Sequence, residues 1–157
     1  MDNRIDHIRN RLAGTTIDPA SLLSTDYFNH FNEPIMLLGM LPDMPEMLDD
    51  IDGWQFVTYC EHFTHSGLGF AQLAIEAYDA APPDLRKRLD KLAAQIGMLI
   101  VETRVRLRFV LEDGNMDKFR DICELHALEL QGMVDDGGAI VHGYTASADQ
   151  EAIDAMF

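Results

Sequence analysis

Apolar residues recur at steps of three and four through most of this chain, the spacing that lines one face of an α-helix. Asp2 to Leu12 reads as a short charged helix stopped near Gly14. Phe28, Phe31, Ile35 and Leu38 form the next stripe, with Ser24 or Thr25 placed to cap its helix. Pro34 falls inside that run. It removes a backbone donor and is expected to kink the helix or start a new one. Leu41-Pro-Asp-Met-Pro45 reads as a turn that restarts a single helical turn through Asp50.

Gly53 to Ala80 predicts one helix, with Phe56, Cys60, Phe63, Gly67, Phe70 or Ala71, and Ala74 on one face. Pro82, Pro83 and Asp84 fit the start of another. Leu85, Leu89, Leu92, Ile96, Leu99, Thr103, Leu107 and Val110 carry that helix toward Asp113. Gly114-Asn115 ends it and caps the following helix. There Phe119, Ile122 or Cys123, His126, Leu130 and Met133 run to a stop at Asp135-Asp-Gly-Gly138.

One stretch supports two readings. Val101, Thr103, Val105, Leu107, Phe109 and Leu111 alternate with mostly charged residues, which is also a strand pattern. Helix is the better reading. The upstream stripe continues through the segment, and Glu102 and Arg106 then form an i,i+4 pair. An isolated strand would need a partner, and only Ala139 to Thr145 offers one. The chain is therefore expected to be all-α. It reads as a four-to-five-helix bundle over residues 1–144, with a long antiparallel hairpin at 84–135, followed by a linker and a short docking helix over 145–157.

At 157 residues and 47% hydrophobic content, the chain can bury a core of its own. No apolar run reaches the roughly 18–20 residues of a membrane helix. The start, Met-Asp-Asn-Arg-Ile-Asp-His, lacks the basic-then-apolar order of a secretory signal, so a cytoplasmic protein is expected. Two cysteines are too few for a disulfide scaffold. The net charge of −15 argues against nucleic acid and anionic membrane as partners. Nine of the 12 Lys and Arg residues lie in 84–120, against six of the 27 Asp and Glu, a local net of +3. That segment can pair with acidic ones inside the domain or across a homodimer.

Chemistry-bearing residues are sparse. Cys60, Cys123 and His126 on facing helices are the candidate ligands for zinc or iron, or the wall of a haem site, in a metal-sensing alternative. The Glu-x-x-His pairs of di-iron bundles are missing, and no cofactor is the primary expectation. No phosphate-binding glycine loop or nucleophile elbow is present.

The last nine residues, Asp149-Gln-Glu-Ala-Ile-Asp-Ala-Met-Phe157, follow a stretch of small residues, Thr145-Ala-Ser-Ala148. Ile153, Met156 and Phe157 can line one side of a short helix that Asp149, Glu151 and Asp154 keep soluble. Such a stripe suits the helix-in-groove mode of recognition. The segment resembles the CheY-binding segments of the flagellar switch protein FliM and the phosphatase CheZ, matching at Gln150, Ile153, Asp154, Met156 and Phe157. The resemblance covers about eight residues and implies docking on a receiver domain of a response regulator, with Arg104, Arg106 and Arg108 near its acidic phosphorylation pocket or holding a dimer together.

CheZ-like phosphatase activity is the enzymatic extension of that resemblance, with Gln95 and Gln131 as the candidate glutamines. The acidic residue expected one turn before the glutamine is absent, since Lys91 and Ala127 stand there. Glu112-Asp-Gly-Asn115 is similar to the Glu-x-x-Asn of the CheC and CheX phosphatases, at a predicted helix break. His65, four residues before Gly69, resembles the phosphoryl-accepting histidine of histidine phosphotransfer domains. Ser66-Gly-Leu68 stands where those domains carry a lysine.

Overall fold

The computed structural model describes residues 3–143. The expected linker and docking helix, with Gln150, Ile153, Asp154, Met156 and Phe157, lie outside the described residues. Among those described, every regular element is helical apart from a single bridge between Ile17 and Ser24. The all-α expectation agrees with this.

Helix α1 (Asn3–Arg9) leads into a loop. Ser24 then caps a 3₁₀ turn, Thr25–Phe28, its hydroxyl accepting from the Asp26 amide at 3.1 Å. Helix α2 (Asn29–Met40) follows directly and runs through Pro34 without restarting. Proline leaves the carbonyl four residues back without its helical donor. That carbonyl belongs to His30, and the indole Nε1 of Trp54 donates to it at 2.9 Å. A second 3₁₀ turn, Pro45–Met47, and α3 (Leu48–Asp52) complete this half, as the turn chemistry of 41–50 predicts.

The single helix expected over Gly53–Ala80 does not form. Residues 54–58 carry no regular structure, and α4 (Tyr59–His65) and α5 (Ala71–Ala80) are separate. Local chemistry explains the break. The Thr58 hydroxyl accepts from the Glu61 amide at 3.3 Å, and the Glu61 carboxylate accepts from the Thr58 amide at 3.0 Å, a reciprocal cap that starts a new helix. Gly67, at φ +72°, turns the chain beyond α4.

Helix α6 (Pro83–Asp113) opens on proline and ends before Gly114 at φ +75°. Its length settles the ambiguous stretch 101–111 as helix. Asn115 then caps α7 (Met116–Val141), its side chain accepting from the Lys118 amide at 3.1 Å. The expected stop at 135–138 is overrun, for Gly137 and Gly138 both lie within α7. Gly137 faces the ring of Phe28, and that close approach outweighs the helix cost of glycine, about 1 kcal/mol. Only two residues join α6 to α7, and the two helices pack on each other. Helix α2 packs against α7. Phe31, Leu41, Phe63, Leu89, Ile96, Leu107, Phe119 and Leu130 are fully buried between these elements.

Candidate functional site

The densest polar arrangement lies where α2, α3 and α6 meet. Trp54 is buried and stacks on His30, with ring centroids 4.9 Å apart. Nε2 of His30 donates to the Gln55 carbonyl at 2.7 Å, and burial pushes the pKa of His30 down. Arg104 reaches from α6 to donate to the carbonyls of Ile51, at 3.0 Å, and Trp54, at 2.6 Å. Arg108 pairs with Asp49 at 2.9 Å and with Asp52. A cleft of about 520 Å³ opens here, lined by His30, Glu33, Asp49, Asp50, Trp54 and Gln55. These polar groups hold the irregular segment 53–58 against α2 and α6, so the arrangement is a brace. Of Arg104, Arg106 and Arg108, expected beside a receiver's acidic pocket or holding a dimer together, Arg104 and Arg108 are turned onto α3 and its flank, and Arg106 is exposed.

A second polar seam joins α4 to its neighbours. Asp26 and His62 approach to 3.2 Å, both largely shielded from solvent. Tyr27 donates to the Val57 carbonyl at 2.7 Å, and the Tyr59 hydroxyl accepts from the Ser24 amide at 2.8 Å. Tyr78 donates to Asp90 at 2.5 Å. Burial raises all three tyrosines above their ordinary range, so each stays a neutral phenol.

The candidate metal ligands do not converge. Cys60 is half-buried near the carboxylates of Asp79 and Asp90. Cys123 is fully buried on α7, and Nδ1 of His126 lies 3.0 Å from Glu129 on the same helix. Among the described residues no group of three or more His, Cys, Asp or Glu side chains is placed to hold a metal ion. Cys60, Cys123 and His126 therefore form no such zinc- or iron-binding group among the described residues. Burial pushes the Cys123 thiol up to about 12, with Glu124 adding to the shift. Iodoacetamide at pH 8 is therefore expected to modify Cys123 only after unfolding, while Cys60 reacts in the native protein. Peptide mass spectrometry reads both sites. Native labelling of Cys123 at the rate of a free thiol would contradict its burial.

The other sequence-derived candidates are scattered. His65 ends α4 and is exposed. Gln95 is exposed on α6, and Gln131 on α7 donates to Asp135 at 3.1 Å. Glu102 and Arg106, expected to pair along α6, do not come within ion-pair distance. Neither Gln95 nor Gln131 has an acidic residue one turn before it, since Lys91 and Ala127 stand there.

What the sequence reading missed is a second apolar face on α6. Ile96, Ile100, Thr103 and Leu107 point into the core. Met98, Val101, Val105 and Phe109, spaced by three and four, lie on the opposite side and are exposed, Met98 and Phe109 to more than 60%. Leu125 and Leu128 on α7 are also exposed, at 61% and 75%. The signal was present in the strand-like alternation of 101–111. Residues two apart on a helix sit about 200° apart, so alternation inside a helix means two apolar faces. Contiguous apolar surface of this kind marks an interaction site more often than a catalytic one.

Compared with known proteins, this chain matches no family model, no curated protein and no solved structure.

Proposed function

We propose that this chain is a protein-binding module of signal transduction. Its helices form a bundle in which α6 and α7 are a long antiparallel hairpin, it works as a homodimer, and residues 149–157 dock on a receiver domain of the CheY type. The observation that carries the binding class is the row Met98, Val101, Val105 and Phe109, exposed on the face of α6 opposite the core. The receiver as partner rests on the resemblance of the tail. Ile153, Met156 and Phe157 would fill an apolar groove, while Gln150 and Asp154 fix the register at its rim. The acidic character of the segment calls for a groove edged by lysine or arginine.

Deleting residues 149–157 is expected to weaken receiver binding at least about 100-fold, because three apolar anchors are lost at roughly 1.5–3 kcal/mol each. The helical circular dichroism and melting temperature should stay within error, since the buried core of the described residues runs from Ile8 to Val141. Titration against purified receivers, with and without a phosphoryl mimic, reads the effect. Equal binding by full-length and truncated proteins would remove the tail from the reading. Failure of every receiver would remove the receiver itself.

A further inference from the structure

We infer that the outward face of α6 closes on the same face of a second copy of this chain, the two helices running antiparallel. The inference deepens the dimeric part of the reading above and rests on it. The apolar row runs over 12 residues, Met98 to Phe109, about 17 Å of helix at 1.5 Å per step. Its ends differ in charge. Lys87 and Lys91 are exposed at the amino-terminal end of this face, and Glu112 and Asp113 at the carboxyl-terminal end. Among the described residues, none of these four makes an ion pair.

That polarity selects the orientation. With a twofold axis near Thr103–Arg104, Met98 lies across from Phe109 of the second copy, and Val101 lies across from Val105. Glu102 then comes beside Arg106, and Glu112 falls opposite Gln95, one helical turn from Lys91. Each of these contacts occurs twice, as an isologous interface requires. Parallel helices would instead set Lys91 on Lys91, Glu102 on Glu102 and Glu112 on Glu112, and like charges facing each other are unfavourable. The failure of Glu102 and Arg106 to pair within their own helix leaves both free to pair across the axis. Leu125 and Leu128, on α7 as it runs back from the turn at Gly114-Asn115, lie at about the height of Val101 to Val105 and are also exposed. The acidic tail is a poorer occupant, because it can satisfy only Lys87, Lys91 and Arg106 and leaves Glu102, Glu112 and Asp113 facing like charge, whereas a second copy supplies partners of both signs.

Sedimentation equilibrium of the full chain tests this without any receiver present. The wild-type protein is expected to be a dimer. The double change Met98→Glu with Phe109→Glu should raise the dissociation constant at least about 30-fold, because each substitution is counted twice across the axis. Both side chains are mostly exposed, so the melting temperature of the variant monomer reports that the fold is kept. Glu102→Arg and Arg106→Glu should each weaken the dimer, and the two together should restore it by inverting the pair. Row variants that remain dimeric, or a charge swap without rescue, would move the dimer to another face and overturn the inference while leaving dimerisation intact. A monomeric wild-type protein would overturn both, and dimerisation appearing only on deletion of residues 149–157 would assign the row to the tail.

Discussion

Replacing Trp54 with alanine is expected to lower stability by about 3–5 kcal/mol, the usual cost of truncating a buried aromatic side chain. Against a total of roughly 5–15 kcal/mol for a domain, that is enough to leave the protein marginal at 25 °C. Trp54 makes two separable contributions. Its ring is buried against His30 and Phe31, at centroid distances of 4.9 and 5.9 Å. Its Nε1 supplies the donor that Pro34 removes from α2. Trp54→Phe keeps most of the burial and leaves the His30 carbonyl without a donor, so it should cost about 1–3 kcal/mol. A control isolates the second contribution. In a Pro34→Ala background the helix supplies its own amide to His30, and the penalty of Trp54→Phe should shrink. Urea denaturation of the four proteins measures the coupling. Equal costs of Trp54→Phe with and without Pro34 would mean that the indole bond does not compensate for the proline.

That brace also marks where sequence reasoning ran out. Helix ends were legible wherever the signal is local. Pro82-Pro83 and Gly114-Asn115 bracket α6 and open α7 where expected, because caps depend on a few adjacent residues. The break at 53–58 was equally local, since Thr58 and Glu61 stand three apart. The long stripe Phe56 to Ala74 outweighed it because periodicity was read as continuous burial. In the structure Phe56 is 41% exposed while Phe63 and Ala74 are buried, so the stripe never was one face. Arg104, Arg106 and Arg108 looked alike in sequence. Their fates differ because successive residues two apart on a helix point to opposite flanks, and only tertiary packing brings Ile51 and Trp54 carbonyls beside Arg104. The cysteines and His126 illustrate the same limit. Apolar periodicity placed them on helices, but convergence on a shared point depends on how those helices cross. The outward row of α6 is legible as alternation within a helix, because residues two apart on a helix fall on nearly opposite faces.

Gly137 offers the sharpest test of the packing that stopped sequence reasoning at the end of α7. A Cβ on Gly137 would lie 2.1 Å from Cζ of Phe28, 2.5 Å from Cε1 and 2.9 Å from Cε2. Cζ sits on the rotation axis of the ring, so spinning the ring cannot clear it. The ring must swing away, and Tyr27 and Phe31 flank it at centroid distances of 5.9 and 6.2 Å. Gly137→Ala should therefore destabilise by about 1–3 kcal/mol net, because overpacking exceeds the helix-propensity gain of up to about 1 kcal/mol. Gly132 lies on the same helix, and a Cβ there meets nothing within 4 Å. Gly132→Ala should stabilise by up to about 1 kcal/mol for the same propensity reason. The same substitution five residues apart thus has opposite signs. In melting temperature this is a fall of about 2–10 °C against a rise of about 2–4 °C. Phe28→Leu removes the ring atoms that clash, so adding it to Gly137→Ala should cost less than the two separate losses summed. If Gly137→Ala raised the melting temperature as Gly132→Ala does, the contact between Phe28 and α7 would not be as close as described, and glycine at 137 would have no packing reason.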